Sequence, residues 1–318
     1  MKKLDEVATI ANVEQELEQE AQQEQQKKTW TKQLSKHSKV DVILLLCLFL
    51  LMNGVKAGRE PRISRGEDAS IEDVPYMGSL RKLQNESVAV GSGYICAAAV
   101  IKNRVLITSA FCIYRQTRED MVAVIGNTNT RGLSSTMRVL KIASWRWHGL
   151  YKHNELAYNI GLVFTSEDIM PVKGAIAYLP ITMEVFQPNT RCSFCGWGAD
   201  TTVAVLRDAP HVALRRISSK MECFKRALVV GVMCTYDLAR AAKTNRFDLG
   251  GPLKCNDTLA GVFLGSASNE YMLFTDIYMF RKWINGGIYM HFNGVEALRS
   301  SCFQWHVSVA IAIYLITS

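Results

Sequence analysis

In each of three short segments of this chain, one residue lies among mostly small and apolar residues. Phe111 lies in LITSAFC (106–112), Asn159 in YNIGL (158–162) and Leu249 in DLGGPL (248–253). Nucleophilic hydrolysis needs a nucleophile, a base that takes its proton and a carboxylate that orients the base. Phe111 cannot accept a proton, Asn159 carries no charge, and Leu249 has no lone pair. These three positions therefore hold no group that can perform such a step.

The three segments resemble the catalytic-triad motifs of one family, the chymotrypsin-like (trypsin-like) serine proteases. LITSAFC is similar to LTAAHC, YNIGL to DIAL, and DLGGPL to DSGGPL. The resemblance implies that Phe111, Asn159 and Leu249 stand where the family has its catalytic histidine, aspartate and serine. Loss of the serine or the histidine alone typically costs about six orders of magnitude in turnover. We therefore predict an inactive serine protease homologue of insect type, and not an enzyme.

The resemblance is collinear over residues 62–288. RISRG resembles the activation site RIVGG, PYMGSL resembles PYQVSL, and CSFCGWG resembles CxxxGWG. It implies that Arg62 is an activation cleavage site, that Ile63 is the new N-terminus, and that Asp248 is the carboxylate that pairs with it. Cleavage would then act as a conformational switch.

Short apolar and β-branched runs between turn residues predict an all-β protein. The predicted strands cover residues 87–90, 97–101, 105–108, 121–125, 139–143, 160–164, 212–217, 229–235 and 259–263, and one helix covers 279–284. The resemblance implies two six-stranded antiparallel β-barrels followed by a C-terminal helix.

The cysteines are consistent with the same family. The resemblance implies three disulfides, namely Cys96–Cys112, Cys192–Cys255 and Cys223–Cys234, which suit an oxidising, extracellular setting. Both cysteines of a fourth family disulfide are missing. Asn245 stands at the position of the first cysteine, and residues 265–271 contain no cysteine for the second position. Cys195 and Cys302 have no family partner, and a bridge between these two cysteines stays open.

The surroundings of the triad positions also depart from the family. Phe247 stands where the family has the glycine of the oxyanion hole, and Lys243 stands at the base of the specificity pocket. Leu264, Gly265 and Ser266 replace SWG, the strand along which a substrate backbone would lie. The resemblance therefore predicts a degenerate oxyanion hole and specificity pocket. Lys243 is either a surface lysine, which we expect, or an anion receptor.

The apolar side chains of the triad positions admit two interpretations. We expect Phe111 and Leu249 to pack together in an abandoned pocket, and the alternative is that they line an apolar groove for a partner. His148 and His153 are candidates for a substitute base, but we expect both to be solvated loop histidines.

The chain ends differ in composition from the middle. Residues 1–40 form a polar Glu/Gln-rich leader that we expect to be disordered, and 41–57 form a signal peptide or a signal anchor. Residues 58–62 are a short propeptide, and 63–288 are the protease-like domain. The tail 289–318 has an apolar end, which is typical either of a GPI signal or of a buried segment.

The formal net charge is +8, but the sequence contains no run of basic residues interleaved with aromatic residues. We therefore predict no nucleic-acid binding and only a mild preference for anionic partners. We expect no cofactor and no metal. Asn85 and Asn256 begin N-x-S/T sequons and are candidate glycosylation sites.

The functional hypothesis is a secreted protein that binds an extracellular protein, as a cofactor, decoy or regulator of proteolysis. The partner would be a protease, a protease substrate or an inhibitor. One alternative is a hydrolase that uses substitute catalytic groups. The other is a membrane-tethered adhesion or receptor module on the cell surface, held by the tail or the leader.

Overall fold

The computed structural model describes residues 67–198, 206–237, 244–268 and 270–294. The predicted leader, signal and propeptide lie outside this range, as do Arg62, Ile63, Lys243, Cys302 and the apolar end of the tail. None of the helices in the described range is long and apolar enough to cross a membrane.

The described residues are mostly in β-strands. In chain order the strands are β1 Glu67–Asp68, β2 Met77–Lys82, β3 Tyr94–Lys102, β4 Val105–Thr108, β5 Met121–Ile125, β6 Arg138–Trp147, β7 Gly161–Thr165, β8 Arg191–Gly196, β9 His211–Ile217, β10 Val232–Tyr236, β11 Pro252–Cys255, β12 Thr258–Ser266 and β13 Tyr271–Asp276. The α-helices are α1 Leu83–Glu86, α2 Lys220–Arg226 and α3 277–294.

Strands β2 to β7 form the first barrel, which is closed in the order β2-β3-β4-β7-β6-β5 with antiparallel neighbours. The short runs that make β4 and β5 are buried along their whole length. Continuous burial of apolar residues is typical of strands with both faces covered. Inside the barrel Leu80, Leu106 and Val163 are fully buried.

Strands β8 to β13 form the second barrel. Its order is β9-β10-β13-β12-β11-β8, and the pairing of β8 with β9 closes the ring, while β1 adds to the edge of β9. Phe194, Phe263 and Phe274 fill this barrel with ring centroids 4.8–5.5 Å apart. The prediction of two six-stranded antiparallel barrels with a C-terminal helix is confirmed.

One predicted strand is absent from the structure, and the predicted helix is longer than expected. Residues 87–90 were expected to form a strand, but they lie in turns that follow α1. The Glu86 carboxylate accepts the N–H groups of Gly91 and Gly93 at 2.9 Å and 3.3 Å, which bends this segment back on itself. The helix predicted over 279–284 extends over 277–294.

The three predicted disulfides are present: Cys96–Cys112, Cys192–Cys255 and Cys223–Cys234. Bridges of this kind typically contribute about 2–4 kcal/mol each. Cys195 is a free, buried thiol in β8, and burial raises its pKa above the ordinary value. A buried thiol with a raised pKa is unreactive.

The sequons occupy exposed positions on the two barrels. Asn85 lies in α1, and Asn256 lies in the turn between β11 and β12 with φ 46°. Their glycosylation stays a prediction.

A buried ion pair joins strand β2 of the first barrel to helix α1. The Arg81 guanidinium is fully buried, and its Nη1 lies 2.5 Å from Oε1 of Glu86, whose side chain is 9% exposed. Arg81 Nε also donates to Ser79 Oγ at 2.9 Å. Removing one partner of a buried pair leaves an uncompensated charge in a medium of low dielectric constant.

We predict that Glu86→Gln lowers the free energy of unfolding by about 3 kcal/mol, because it strands the buried Arg81 charge. The matched control is Glu119→Gln, which removes a carboxylate from the exposed Arg118–Glu119 pair. The control should cost less than about 1 kcal/mol. Urea denaturation of both variants measures the difference, and equal costs would contradict the prediction.

Candidate functional site

The motifs that contain Phe111 and Asn159 meet through the pairing of β4 with β7. Thr108 is the register partner of Gly161, so the residues just beyond each of them lie side by side. The Phe111 N–H donates to Asn159 Oδ1 at 3.0 Å. The carbonyl of the buried Asn159 accepts the Thr275 hydroxyl at 2.7 Å, which ties this corner to the second barrel.

The DLGGPL motif reaches the same corner from the second barrel. The Leu249 carbonyl accepts the Ala97 N–H of β3 at 2.9 Å. Gly250 has φ 82°, and a Cβ on it would lie 2.2 Å from both Ala97 O and Thr108 Oγ1. Only glycine fits that approach. The half-buried Leu249 packs against the cores of both barrels. The structure therefore brings the three motifs together at the junction of the barrels.

Phe111 does not occupy the shared core that we expected for it and Leu249. Its side chain is 37% exposed and stacks on His153, with ring centroids 5.9 Å apart and planes inclined by 8°. The physical reason is local. Phe111 is the middle residue of a 3₁₀ turn whose neighbours Ala110 and Cys112 are both buried, so its side chain points outward.

His153 belongs to a surface of stacked rings. Its ring lies 5.7 Å from the ring of Tyr114, which in turn meets Trp147 and Tyr151 edge-on at 5.5 Å and 5.4 Å. We call Phe111, Tyr114 and His153 the aromatic surface. His153 is exposed, as expected for a loop histidine, but it stacks on aromatic rings that a solvated side chain would not contact.

His148 is part of a second group of rings, so it is not a solvated loop histidine. It stacks on Tyr158 with centroids 4.8 Å apart and contacts Phe280 and Trp283 of α3. Burial, followed by the charge of Arg146, lowers its pKa from the ordinary value. Tyr158 has φ 55°, an uncommon backbone for a bulky residue, immediately before Asn159.

The segment around Phe247 forms a turn whose N–H groups are hydrogen-bonded within the turn itself. Asn245 Oδ1 accepts the Phe247 N–H, and Asp248 Oδ2 accepts the Asn245 N–H, both at 2.8 Å, as a capping box. The Leu249 N–H points to Arg246 O at 3.4 Å. The Phe247 N–H, which the resemblance assigns to an oxyanion hole, is therefore engaged inside the turn. Asn245, which stands where the family has a cysteine, closes this turn. The N-x-x-D spacing of Asn245 and Asp248 is the sequence signal of the capping box.

Of the predicted specificity pocket, Lys243 lies outside the described residues. Leu264 is buried at the end of β12, and Gly265 follows in a bulge with φ 153°. Ser266 Oγ lies 2.6 Å from Thr244 Oγ1. This hydrogen bond joins the two segments that a fourth disulfide would have linked. The degenerate character of the pocket stays a prediction.

Asp248 is buried beneath the turn. Its Oδ1 accepts the Gly198 N–H at 2.7 Å, and a Cβ on Gly198 would lie 1.7 Å from Oδ2. Burial raises the pKa of this carboxyl to about 6, although the backbone N–H groups of Asn245 and Gly198 and the charge of Arg207 act in the opposite direction. Ile63 lies outside the described residues, so its pairing with Asp248 stays a prediction.

No group of three or more His, Cys, Asp and Glu side chains in the described range could hold a metal ion.

Comparison with known proteins places the chain among proteases. The family model described as Trypsin matches residues 63–284. Mouse granzyme F is 24% identical over 248 residues, covering 76% of this chain and 96% of the relative. Trypsin theta of Drosophila melanogaster is 25% identical over 266 residues, covering 76% and 96%. The structure of neuropsin, a serine protease of mouse brain, matches with a TM-score of 0.62 at 18% identity, covering 71% and 100%, which shows the fold alone.

These matches contradict the prediction that the chain is not an enzyme. The matching family is described as Trypsin, and trypsin theta is a protease by name. The class is enzymatic, and the non-enzyme assignment is withdrawn. The insect-type part of the prediction is not confirmed, since mouse and fly proteins match alike. The assignment of Phe111, Asn159 and Leu249 to the triad positions stays a prediction.

The raised pKa of Asp248 predicts a pH dependence of stability. The folded carboxyl binds its proton more tightly than the unfolded one, whose pKa is 3.8. The stability contribution of this group is therefore complete below about pH 4 and is lost as the pH rises through about 6. We expect the free energy of unfolding of the wild type to fall by about 3 kcal/mol relative to that of Asp248→Asn across this window.

Chemical denaturation of the wild type and Asp248→Asn at a series of pH values measures this difference. All other titrating groups are common to both proteins and cancel. A difference that stays constant from about pH 4 to about pH 7 would show that the buried carboxyl titrates normally.

Proposed function

This chain belongs to the trypsin family, and we propose that its domain acts outside the cell by binding a protein partner, as a cofactor, decoy or regulator of proteolysis. The observation that carries the proposal is the exposed stack of Phe111 on His153 at the corner where the two barrels meet. The partner presents an apolar or aromatic side chain to this surface.

The aromatic surface has the physical character of a binding hot spot. Large aromatic side chains dominate the energetics of protein interfaces when they lie near the centre of the contact. The backbone of Phe111 is held before binding by the hydrogen bond to Asn159 and by the adjacent Cys96–Cys112 disulfide. Preorganisation of this kind reduces the entropy cost of association.

The three disulfides support an extracellular location, because disulfides persist in oxidising compartments and are rare in the cytosol. Secretion through residues 41–57 and cleavage after Arg62 are part of the proposal. N-terminal sequencing of the protein released by expressing cells, before and after treatment with trypsin, tests both. Starts near Gly58 and then at Ile63 are the expected results.

The second candidate function is peptide hydrolysis with substitute groups, and family membership favours it. His153 lies beside Phe111, so a base is available near the corner, and its nucleophile would have to come from outside the three motif positions. A fluorophosphonate probe tests this candidate. Labelling of a serine, located by peptide mass spectrometry and lost together with peptide cleavage on mutation of that serine, would establish hydrolysis in place of binding alone.

We predict that Phe111→Ala weakens binding of the partner by about thirtyfold or more, because truncating a central aromatic side chain removes its packing against the partner. The partner is first identified by crosslinking the wild-type protein in extracellular fluid. Its affinity for the purified variants is then measured by calorimetry.

Phe224→Ala is the matched control, since Phe224 is 62% exposed on α2 of the second barrel. The control should bind like the wild type, and neither variant should lose its thermal unfolding transition. Equal affinities of Phe111→Ala and the wild type would remove the aromatic surface from the interface.

A further inference from the structure

A row of arginine and tyrosine side chains crosses the outer face of the second barrel. The register pairs Arg191 of β8 with Arg216 of β9, Arg216 with Tyr236 of β10, and Tyr236 with Tyr271 of β13. Directly paired residues of antiparallel strands project from the same face of the sheet. Their chain neighbours on the opposite face are buried: Cys192, Arg215, Thr235 and Met272.

Helix α2 contributes a third cation to this row. The Arg226 guanidinium lies over the Tyr271 ring at 4.4 Å from the centroid, and the Tyr271 ring lies 6.2 Å from that of Tyr236. Arg191 and Arg226 are exposed, and Arg216 is partly exposed. We call these five residues the arginine–tyrosine row. With strands about 4.8 Å apart, its four strand positions span roughly 14 Å.

The positive charge of the row is only partly neutralised within the described part of the chain, since Glu222 attracts Arg226 without forming an ion pair with it. No carboxylate there lies within 4.0 Å of the guanidinium of Arg191, Arg216 or Arg226. The nearby acids have other partners: Asp237 lies 3.7 Å from the buried Arg215, and Glu222 lies 2.7 Å from Lys225. Like charges directly opposite each other destabilise a sheet. The Arg191–Arg216 pair therefore costs stability in the free protein, and an anion that binds both would offset this cost.

We propose that the arginine–tyrosine row binds a sulfated polysaccharide. Guanidinium groups present planar, paired donors that match the oxygens of sulfate. A linear polymer with repeated sulfates can contact the arginines along the row at once, while the tyrosine rings contact the apolar faces of its sugars. The three disulfides indicate an oxidising compartment, which favours an extracellular polyanion over RNA.

The test compares heparin binding by the full-length wild-type chain and by the double variant Arg191→Gln, Arg216→Gln. The matched control is Lys102→Gln, Lys141→Gln, which removes the same charge from exposed positions of the first barrel. We expect the row variant to bind about tenfold or more weakly. The control should change less than about twofold, because dispersed surface charges contribute little.

The unfolding temperature of the row variant shows whether weaker binding results from the lost arginines or from a loss of the fold. The row variant should unfold at the same or a higher temperature than the wild type in low salt, since it removes a like-charged pair. Phe111→Ala should bind heparin normally, so a failure of the proposed protein interface leaves this result unaffected.

Four results would overturn the proposal. They are absence of heparin binding by the wild type at physiological salt, equal weakening of the row and control variants, binding of unsulfated hyaluronan as tight as that of heparin, and tighter binding of single-stranded RNA than of heparin.

Discussion

The buried carboxylate of Asp248 connects the parts of this molecule that matter for its site. It accepts the N–H groups of Gly198 and Asn245, and the turn that it stabilises delivers Leu249 and Gly250 to the first barrel. An ionised carboxylate in an apolar interior is costly unless hydrogen bonds compensate it. Two donors compensate in part, which is why its pKa stays raised to about 6. The same constraint explains Gly198, since any side chain there would collide with the carboxylate.

The junction of the barrels depends on contacts in which few side chains take part. The hydrogen bond from the Phe111 N–H to Asn159 and the approach of Gly250 to β3 involve backbone atoms, glycine or an amide oxygen. Such contacts depend little on which side chains stand at positions 111 and 249. Family membership therefore gives the class of the protein, whereas the aromatic surface and the capped turn give this chain its individual chemistry. The hydrogen bond to Asn159 and the Cys96–Cys112 disulfide hold the backbone of Phe111, and its side chain is exposed.

Two surfaces of different chemistry lie on different barrels. The aromatic surface offers apolar rings at the barrel junction, and the arginine–tyrosine row offers guanidinium groups on the outer face of the second barrel. An apolar hot spot contributes affinity for a protein, and a charged row contributes attraction to an extended anion. The two proposals are independent because no residue is shared. Together the two proposals predict a domain that an anionic matrix concentrates while its other surface binds a protein.

The sequence by itself predicted an all-β protein and several strands, because apolar periodicity is local and acts through the backbone. The family resemblance of its motifs implied the two barrels and the three disulfides. Strands β4 and β5 were predicted with their observed bounds. Only the tertiary structure decided that Phe111 faces outward, that His148 lies among rings from α3, and that Arg191 stands opposite Arg216. Each of these depends on which distant residues become neighbours. Strand register and packing between elements set those contacts, and a slip of one residue would have turned the arginines to opposite faces of the sheet.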